Sequence, residues 1–305
     1  MRVTLIILGT VISLLVLAFF IYRVPDMDRE ILRKKYANSS SEFIAIDGQE
    51  VHYRQEGTGP FLLLLHGTSS SLHTWDQWTL LLKDYFTVVR LDLPAYGLTG
   101  PFPDDDYSTD HYVTFLNEFV HHLEIDTFHL AGNSFGGLLA WNFALAYPEK
   151  VKKLILIDAS GYPGKETPIL FQLARNPLAA FALKSITPRS FVEDNIKEVY
   201  HQDELISDTL VDRYYELMLH EGNRQAFIDR ANLDRKDRSE MISKISQPTL
   251  IQWGQHDLWI PVSDGHRFAR DIPKSQLIVY KNAGHLPMEE IPLTTVSDAV
   301  DFLQN

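Results

Sequence analysis

The chain contains no cysteine, which removes disulfides, thiolate nucleophiles and sulfur-ligated metals from its chemistry and says nothing of its redox compartment. Basic residues are scarce. Twenty-eight Lys and Arg stand against forty Asp and Glu, a formal net charge of -12, and no basic stripe with interleaved aromatics occurs. Such a chain repels phosphate backbones, so no nucleic-acid partner is expected. Glycine-rich phosphate and dinucleotide fingerprints are missing. The histidines are scattered, with no i, i+4 pair flanking a glutamate, and His121 and His122 fall on different helix faces. No cofactor and no metal is therefore expected. Repeats and low-complexity tracts are also absent, leaving 305 residues of ordinary composition, 45% hydrophobic and 22% charged, enough for a large core.

One long uncharged run stands out at the amino terminus. Val3 to Tyr22 is interrupted only by Thr4, Gly9, Thr10 and Ser13. At about 1.5 Å per helical residue, twenty residues match a bilayer core of roughly 30 Å. A cleaved signal has a shorter apolar part, about 7–15 residues, before a small-residue cleavage site. Here Phe19-Phe20-Ile21-Tyr22-Arg23 follows instead. The expectation is a retained, single-pass anchor over residues 1–22, placing the protein at a membrane, with a polar connector over residues 23–41. Arg23, Arg29, Arg33, Lys34 and Lys35 beyond the span outnumber Arg2 before it, which favours a cytoplasmic body. Large domains cross despite such charges, so the side stays open.

The remainder alternates between strand-like and helical runs. Phe43 to Ile46 and Val51 to Arg54, joined by Asp47-Gly48, carry the strongest short hairpin signal. Phe61 to Leu65 is continuously apolar, as a strand covered on both faces must be. Further strands are expected at 86–92, 128–131, 154–158, 248–253 and 276–280, with helices over 74–83, 108–123, from Ser134 to near Tyr147-Pro148, and over 293–303 between or after them. This alternation predicts an α/β fold with a mostly parallel sheet and helices on both faces. From Gly161 to about Ser246 the rhythm stops and only amphipathic stretches remain. That segment is read as a helical cap, 161–246, inserted after the sixth strand between core segments 42–160 and 247–305.

Within this frame one turn carries chemistry. Phe128-His129-Leu130-Ala131 runs into Gly132-Asn133-Ser134-Phe135-Gly136-Gly137 and then a small-residue helix. A serine on so tight a strand-to-helix turn holds its hydroxyl exposed above the sheet. A hydroxyl needs a base, and the base an orienting acid. Asp257 follows the strand ending at Trp253, and His285 follows the strand ending at Tyr280, both past carboxyl ends where open α/β sheets place their sites. The chain order is Ser, Asp, His. Asp158 also ends a strand and is the alternative carboxylate. His256 and His266 are read as structural.

With His66-Gly67-Thr68 after the first long strand and Asp92-Leu93-Pro94-Ala95-Tyr96-Gly97 after the next, these motifs resemble those of the α/β-hydrolase superfamily from about Phe43 onward. The resemblance implies an α/β-hydrolase fold with Ser134 as nucleophile, His285 as general base and acid, and Asp257 as its orienting carboxylate. It further implies an oxyanion hole from the backbone N–H groups of Thr68 and Phe135. Asp92 and His66 are expected to brace their own loops. Trp75, Phe171, Leu178 and Phe181 are candidate pocket residues. Relatives that open epoxides or haloalkanes carry aspartate at the elbow; serine implies acyl transfer, so the expected substrate is a small-molecule acyl ester, lipid-like if the anchor keeps the site near a membrane. Two alternatives use the same groups. Serine hydrolases that split C–C bonds of ring-fission products have a similar elbow, but carry tryptophan after the histidine, where this chain has Leu286, and basic cap residues, for which Arg175 and Arg189 are candidates. A cofactor-free perhydrolase or haloperoxidase is the other. A non-catalytic receptor on this fold usually lacks part of the triad, which is complete here.

Overall fold

A computed structural model describes residues 7, 10, 13, 17, 19–164, 169–234 and 236–305. Eight strands form one sheet: β1 (Ser41–Ile46), β2 (Gln49–Gly57), β3 (Phe61–Leu65), β4 (Thr87–Leu91), β5 (Phe128–Asn133), β6 (Val151–Ile157), β7 (Thr249–Gly254) and β8 (Ser275–Tyr280). Their order across the sheet is β1-β2-β4-β3-β5-β6-β7-β8. The β1–β2 and β2–β4 pairings are antiparallel and the other five parallel. Asp47 and Gly48 both have positive φ, 47° and 83°, the backbone that a two-residue hairpin of right-handed twist demands.

The apolar run of β3 is explained by its two covered faces. Leu63 and Leu65 enter one buried cluster with Tyr112, Phe135 and Trp141, while Leu62 and Leu64 enter another with Trp75, Trp78 and Met288. Alternate side chains thus serve opposite helical layers. Three helices of the sheet's flanks matter for the site: α2 (Asp76–Leu82), α3 (Thr109–His122) and α4 (Phe135–Ala146). Ser108 caps α3 by accepting the His111 N–H. On the carboxyl side α10 (Val262–Asp271), a short α11 (Pro287–Glu290) and α12 (Pro292–Gln304) complete the layers.

After β6 the sheet is interrupted by five helices: α5 (Ile169–Arg175), α6 (Pro177–Ser185), α7 (Arg189–Val199), α8 (Asp208–Met218) and α9 (Asn223–Asn232). All five lie within residues 161–246. Their own small core joins Leu170, Phe171 and Ala174 to Phe227, Ile228 and Ala231.

The amino-terminal segment departs from expectation. Among the described residues no helix is long and apolar enough to cross a membrane. Ile7, Thr10, Ser13, Leu17 and Phe19–Tyr22 are helical; the rest of the expected anchor lies outside the described residues. The connector is not a free tether. Asp28 caps α1 (Arg29–Tyr36), whose Leu32 is fully buried against Leu98 and Leu217. Val24 N–H donates to Ser185 O at 2.8 Å and Met27 N–H to Leu219 O at 2.7 Å, so residues 24–36 are docked on cap and core. The polar composition hid this, because the same charged residues that suggest a solvated tether pair with the body of the protein, Asp26 with Arg224 and Lys35 with Glu216.

Candidate active site

Ser134 sits between β5 and α4 at φ 54°, ψ -114°, a conformation strained for any residue with a Cβ. Main-chain bonds fix it there: its N–H donates to Ile157 O, and its carbonyl accepts from Leu138 and Ser160 N–H, each at 3.0 Å. The flanking glycines are required by contact. A Cβ on Gly132 would stand 2.3 Å from Gly136 O, and one on Gly136 would stand 2.2 Å from Leu65 O.

The histidine arrives from the loop after β8. His285 Nδ1 bonds Asp257 Oδ2 at 2.6 Å, with both side chains buried. Asp257 Oδ1 accepts Trp259 N–H at 2.8 Å and Ile260 N–H at 2.9 Å, so its second oxygen is held by backbone while the first holds the ring. That bond leaves Nε2 buried and without a partner, and His285 and Ser134 line the same cleft. The main chain of His285 is clamped from two sides, by its own N–H to Val199 O at 2.8 Å and by Asn133 Nδ2 to its carbonyl at 3.0 Å. Asn133 therefore ties the elbow to the histidine loop, a role that its place before the serine gave no means to see.

Asp158, the alternative carboxylate, is present in the same cluster. One ligand atom each of Asp158, Asp257 and His285 lies within 4.8 Å of the others. Burial, and then the charge of Asp257, push the Asp158 pKa well above the ordinary carboxylate value. Asp158 Oδ1 accepts Gly254 N–H at 2.9 Å, and Asp257 holds the imidazole.

Strand order brings the loop after β3 beside the elbow after β5. Among the described residues neither Thr68 N–H nor Phe135 N–H has an intramolecular acceptor. Phe135 opens α4, where free donors and the helix dipole favour an anion. The bracing is as expected. His66 Nδ1 donates to Gly67 O at 2.7 Å, and its Nε2 accepts Leu93 N–H at 2.9 Å. Burial lowers the His66 pKa, consistent with this neutral ring. Asp92 accepts Leu72 and Leu98 N–H at 2.7 and 2.8 Å.

The cleft encloses about 640 Å³. Its apolar lining comes from the cap, Leu170, Phe191, Val192, Ile196, Val199 and Met218, and from Trp259 and Leu286 of the core. A second cavity of about 520 Å³ continues from it, sharing Ser69, Ser70, Leu170, Phe191 and Met218. The expected pocket residues are corrected here. Trp75 is fully buried against Trp78, in the core rather than at the cleft. Phe171 packs inside the cap against Phe227, while its neighbour Leu170 reaches the cleft. Leu178 and Phe181 are 85% and 64% exposed, because α6 turns Ala180 and Leu183 inward and these two outward. Arg175 and Arg189 are also elsewhere, on Ala231 O and on Asp208 and Asp212.

A serine elbow, a buried His–Asp pair and unpaired main-chain donors on an eight-stranded α/β sheet define a hydrolase of the nucleophile-elbow class. The alpha/beta hydrolase fold model matches residues 60–292, and the chain belongs to that family. It is 28% identical over 286 residues to the 2-hydroxy-6-oxononadienedioate/2-hydroxy-6-oxononatrienedioate hydrolase 2 of Pseudomonas putida, covering 88% of this chain and 97% of the relative. A solved membrane phospholipase A, described as a bacterial virulence factor, superposes with TM-score 0.76 at 26% identity over 99% of this chain and 98% of its own. A thermophilic esterase from Thermogutta terrifontis gives TM-score 0.75 at 25% identity over 87% and 98%. The chain is an enzyme of the α/β-hydrolase superfamily.

Proposed function

We propose that this enzyme cleaves carboxylic esters through an acyl-enzyme on Ser134. The single observation that carries the reading is the buried His285–Asp257 bond, which leaves Nε2 free in the cleft that Ser134 also lines. Ser134 Oγ attacks the ester carbonyl as His285 Nε2 takes its proton. The oxyanion receives the N–H groups of Thr68 and Phe135. The imidazolium, steadied by Asp257, then protonates the departing alkoxide, and water returns through the same steps to release the acid. Each oxyanion donor is worth about 3–4 kcal/mol in the transition state.

The cleft chemistry favours an ester with an apolar acyl chain over a ring-fission product. Among the described residues no Lys or Arg lines it, and Arg224, which lines the cavity continuing from it, is paired with Asp26. The substrate named for the Pseudomonas putida relative is a dianion without an ester bond, so its hydrolysis must break carbon–carbon, and it needs cationic recognition. The similarity to a phospholipase and the anchor expected at residues 1–22 support a lipid-like substrate met at a membrane.

Labelling with a fluorophosphonate and peptide mapping tests the nucleophile: Ser134 carries the adduct, and Ser134→Ala loses ester turnover by about 10⁴-fold or more. Comparing p-nitrophenyl acyl esters with ring-fission dienoates tests the substrate, and strong dienoate turnover beside feeble esterase activity would reverse the assignment. Fractionation tests the anchor. The full chain sediments with membranes, and removal of residues 1–22 releases it; sedimentation of both forms by the same amount sinks that element.

A further inference from the structure

Arg230, on cap helix α9, is a buried cation with no carboxylate partner among the described residues. Its side chain is 3% exposed. Nη2 donates to Thr68 Oγ1 at 2.6 Å, and the guanidinium carbon stands 4.1 Å from the centroid of the Phe135 ring. Tyr96 and Phe171 flank it at 5.8 and 5.9 Å, and Nε has no partner. Burying an uncompensated charge costs several kcal/mol, so packing alone does not explain the residue. Arg213, by contrast, lies near Glu289 and Asp76.

Its hydrogen-bond partner Thr68 and the ring nearest to it, Phe135, are the two residues whose main-chain N–H groups form the proposed oxyanion hole. They belong to different loops, after β3 and after β5, and the guanidinium of a third segment bonds one and covers the other. We infer that Arg230 is a positioning residue for the oxyanion hole, locking Thr68 against Phe135 and leaving a positive charge beside the point where negative charge develops. The inference rests on the acyl-enzyme reading above. Its physical consequence is specific. A charge that gains a partner only when the carbonyl oxygen becomes an oxyanion stabilises the transition state more than the bound ester, so it raises kcat and leaves KM nearly alone. A cap residue that served packing alone would alter thermal stability and access to the cleft, and hence KM.

The test uses the full chain with soluble p-nitrophenyl esters and the fluorophosphonate. Arg230→Met, nearly the same length but neutral, is expected to lower kcat by about ten- to a hundredfold, with a similar fall in the rate of phosphonylation and a KM within about twofold. Arg230→Lys keeps the charge but not the flat stack and restores part of kcat. Thr68→Val removes the hydroxyl while keeping the N–H; it lowers kcat less, and its effect is not additive with Arg230→Met. Should the methionine variant fail to fold, the lysine and valine variants and their double-mutant cycle still read the coupling. A wild-type kcat in Arg230→Met, or additive behaviour in the cycle, overturns the inference. Ser134→Ala separates the two levels: if it keeps full turnover the acyl-enzyme reading fails, whereas an inactive Ser134→Ala beside an unimpaired Arg230→Met removes only the role of Arg230.

Discussion

The carboxyl groups of Asp158 and Asp257 are both buried, with an oxygen of each within 4.8 Å of the other. Asp158 Oδ1 is used by Gly254 N–H, and Oδ2 receives no donor. Burial and the charge of Asp257 raise the Asp158 pKa, which favours a proton on that oxygen.

This pairing has a consequence for stability against pH. An acid whose folded pKa is raised binds a proton that the unfolded chain has already lost above about pH 4. Its contribution is complete below that value and declines by about 1.4 kcal/mol for each pH unit until the folded group also ionises. Asp158→Asn keeps an N–H toward Asp257 and an acceptor for Gly254, and removes the titration. Relative to wild type it is expected to gain stability steadily from pH 5 upward, with kcat near wild type. Denaturant unfolding across that range reads the difference. A difference independent of pH means that Asp158 is already ionised.

Asp257→Asn probes the other half of the pair. The amide oxygen still accepts the N–H groups of Trp259 and Ile260, but the amide nitrogen donates to His285 Nδ1 where the carboxylate accepted. The imidazole then carries its proton on Nε2 and cannot take one from Ser134. A fall of about 10³–10⁴-fold in kcat with little change in KM is expected. Loss of the Asp257 charge also lets Asp158 ionise at lower pH, so the residual activity rises with pH and vanishes when Asp158→Asn is added. Steady-state kinetics of the single and double variants decide it; residual activity that ignores Asp158 sinks the second part.

The strain at Ser134 predicts an inverted stability order. At φ 54°, ψ -114° a Cβ costs on the order of 1–3 kcal/mol, and glycine escapes most of this while losing some chain entropy. Ser134→Gly is therefore expected to be more stable than Ser134→Ala by about 1 kcal/mol, though both lack the nucleophile. Chemical denaturation of the two variants gives the comparison. Equal stability would mean that the surrounding bonds have relaxed the turn.

Much of this was readable in the chain because period and punctuation coincide with function. The run Phe61–Leu65, the Gly-Asn-Ser-Phe-Gly turn and the loops carrying Asp257 and His285 all follow from strands covered on both faces and from glycines that close backbone approach demands. The site's walls were not readable. Leu178 and Phe181 are apolar residues on cap helices just as Leu170 and Phe191 are, and only tertiary packing decides which of them look inward. Asn133 and Arg230 were invisible for another reason. Their partners, the His285 carbonyl and the Thr68 hydroxyl, are 152 and 162 residues away in the chain. The docking of residues 24–36 combines main-chain bonds with ion pairs to Arg224, Glu216 and Glu50, partners distant in the chain.

A second Ser–His–Asp array shows what such geometry needs before it can react. Ser41 Oγ lies 2.9 Å from His52 Nε2, and His52 Nδ1 lies 2.7 Å from Asp92 Oδ2. Against the upward push of burial, His52 holds the Asp92 carboxyl well below the usual carboxylate range. The bond pattern matches that expected of an activated serine, yet neither cavity at the cleft reaches Ser41 or His52. Arg54 Nε and Asn38 N–H, both at 3.1 Å, already occupy the Ser41 oxygen. Outside both cavities and with its serine oxygen already occupied, this array joins β1, β2 and the loop after β4 as structure. His52→Ala is accordingly expected to cost about 1–3 kcal/mol of stability by leaving Asp92 short of a partner, without altering kcat. In the fluorophosphonate experiment the adduct maps to the peptide of Ser134, and an adduct on Ser41 would show that hydrogen-bond geometry alone had been enough.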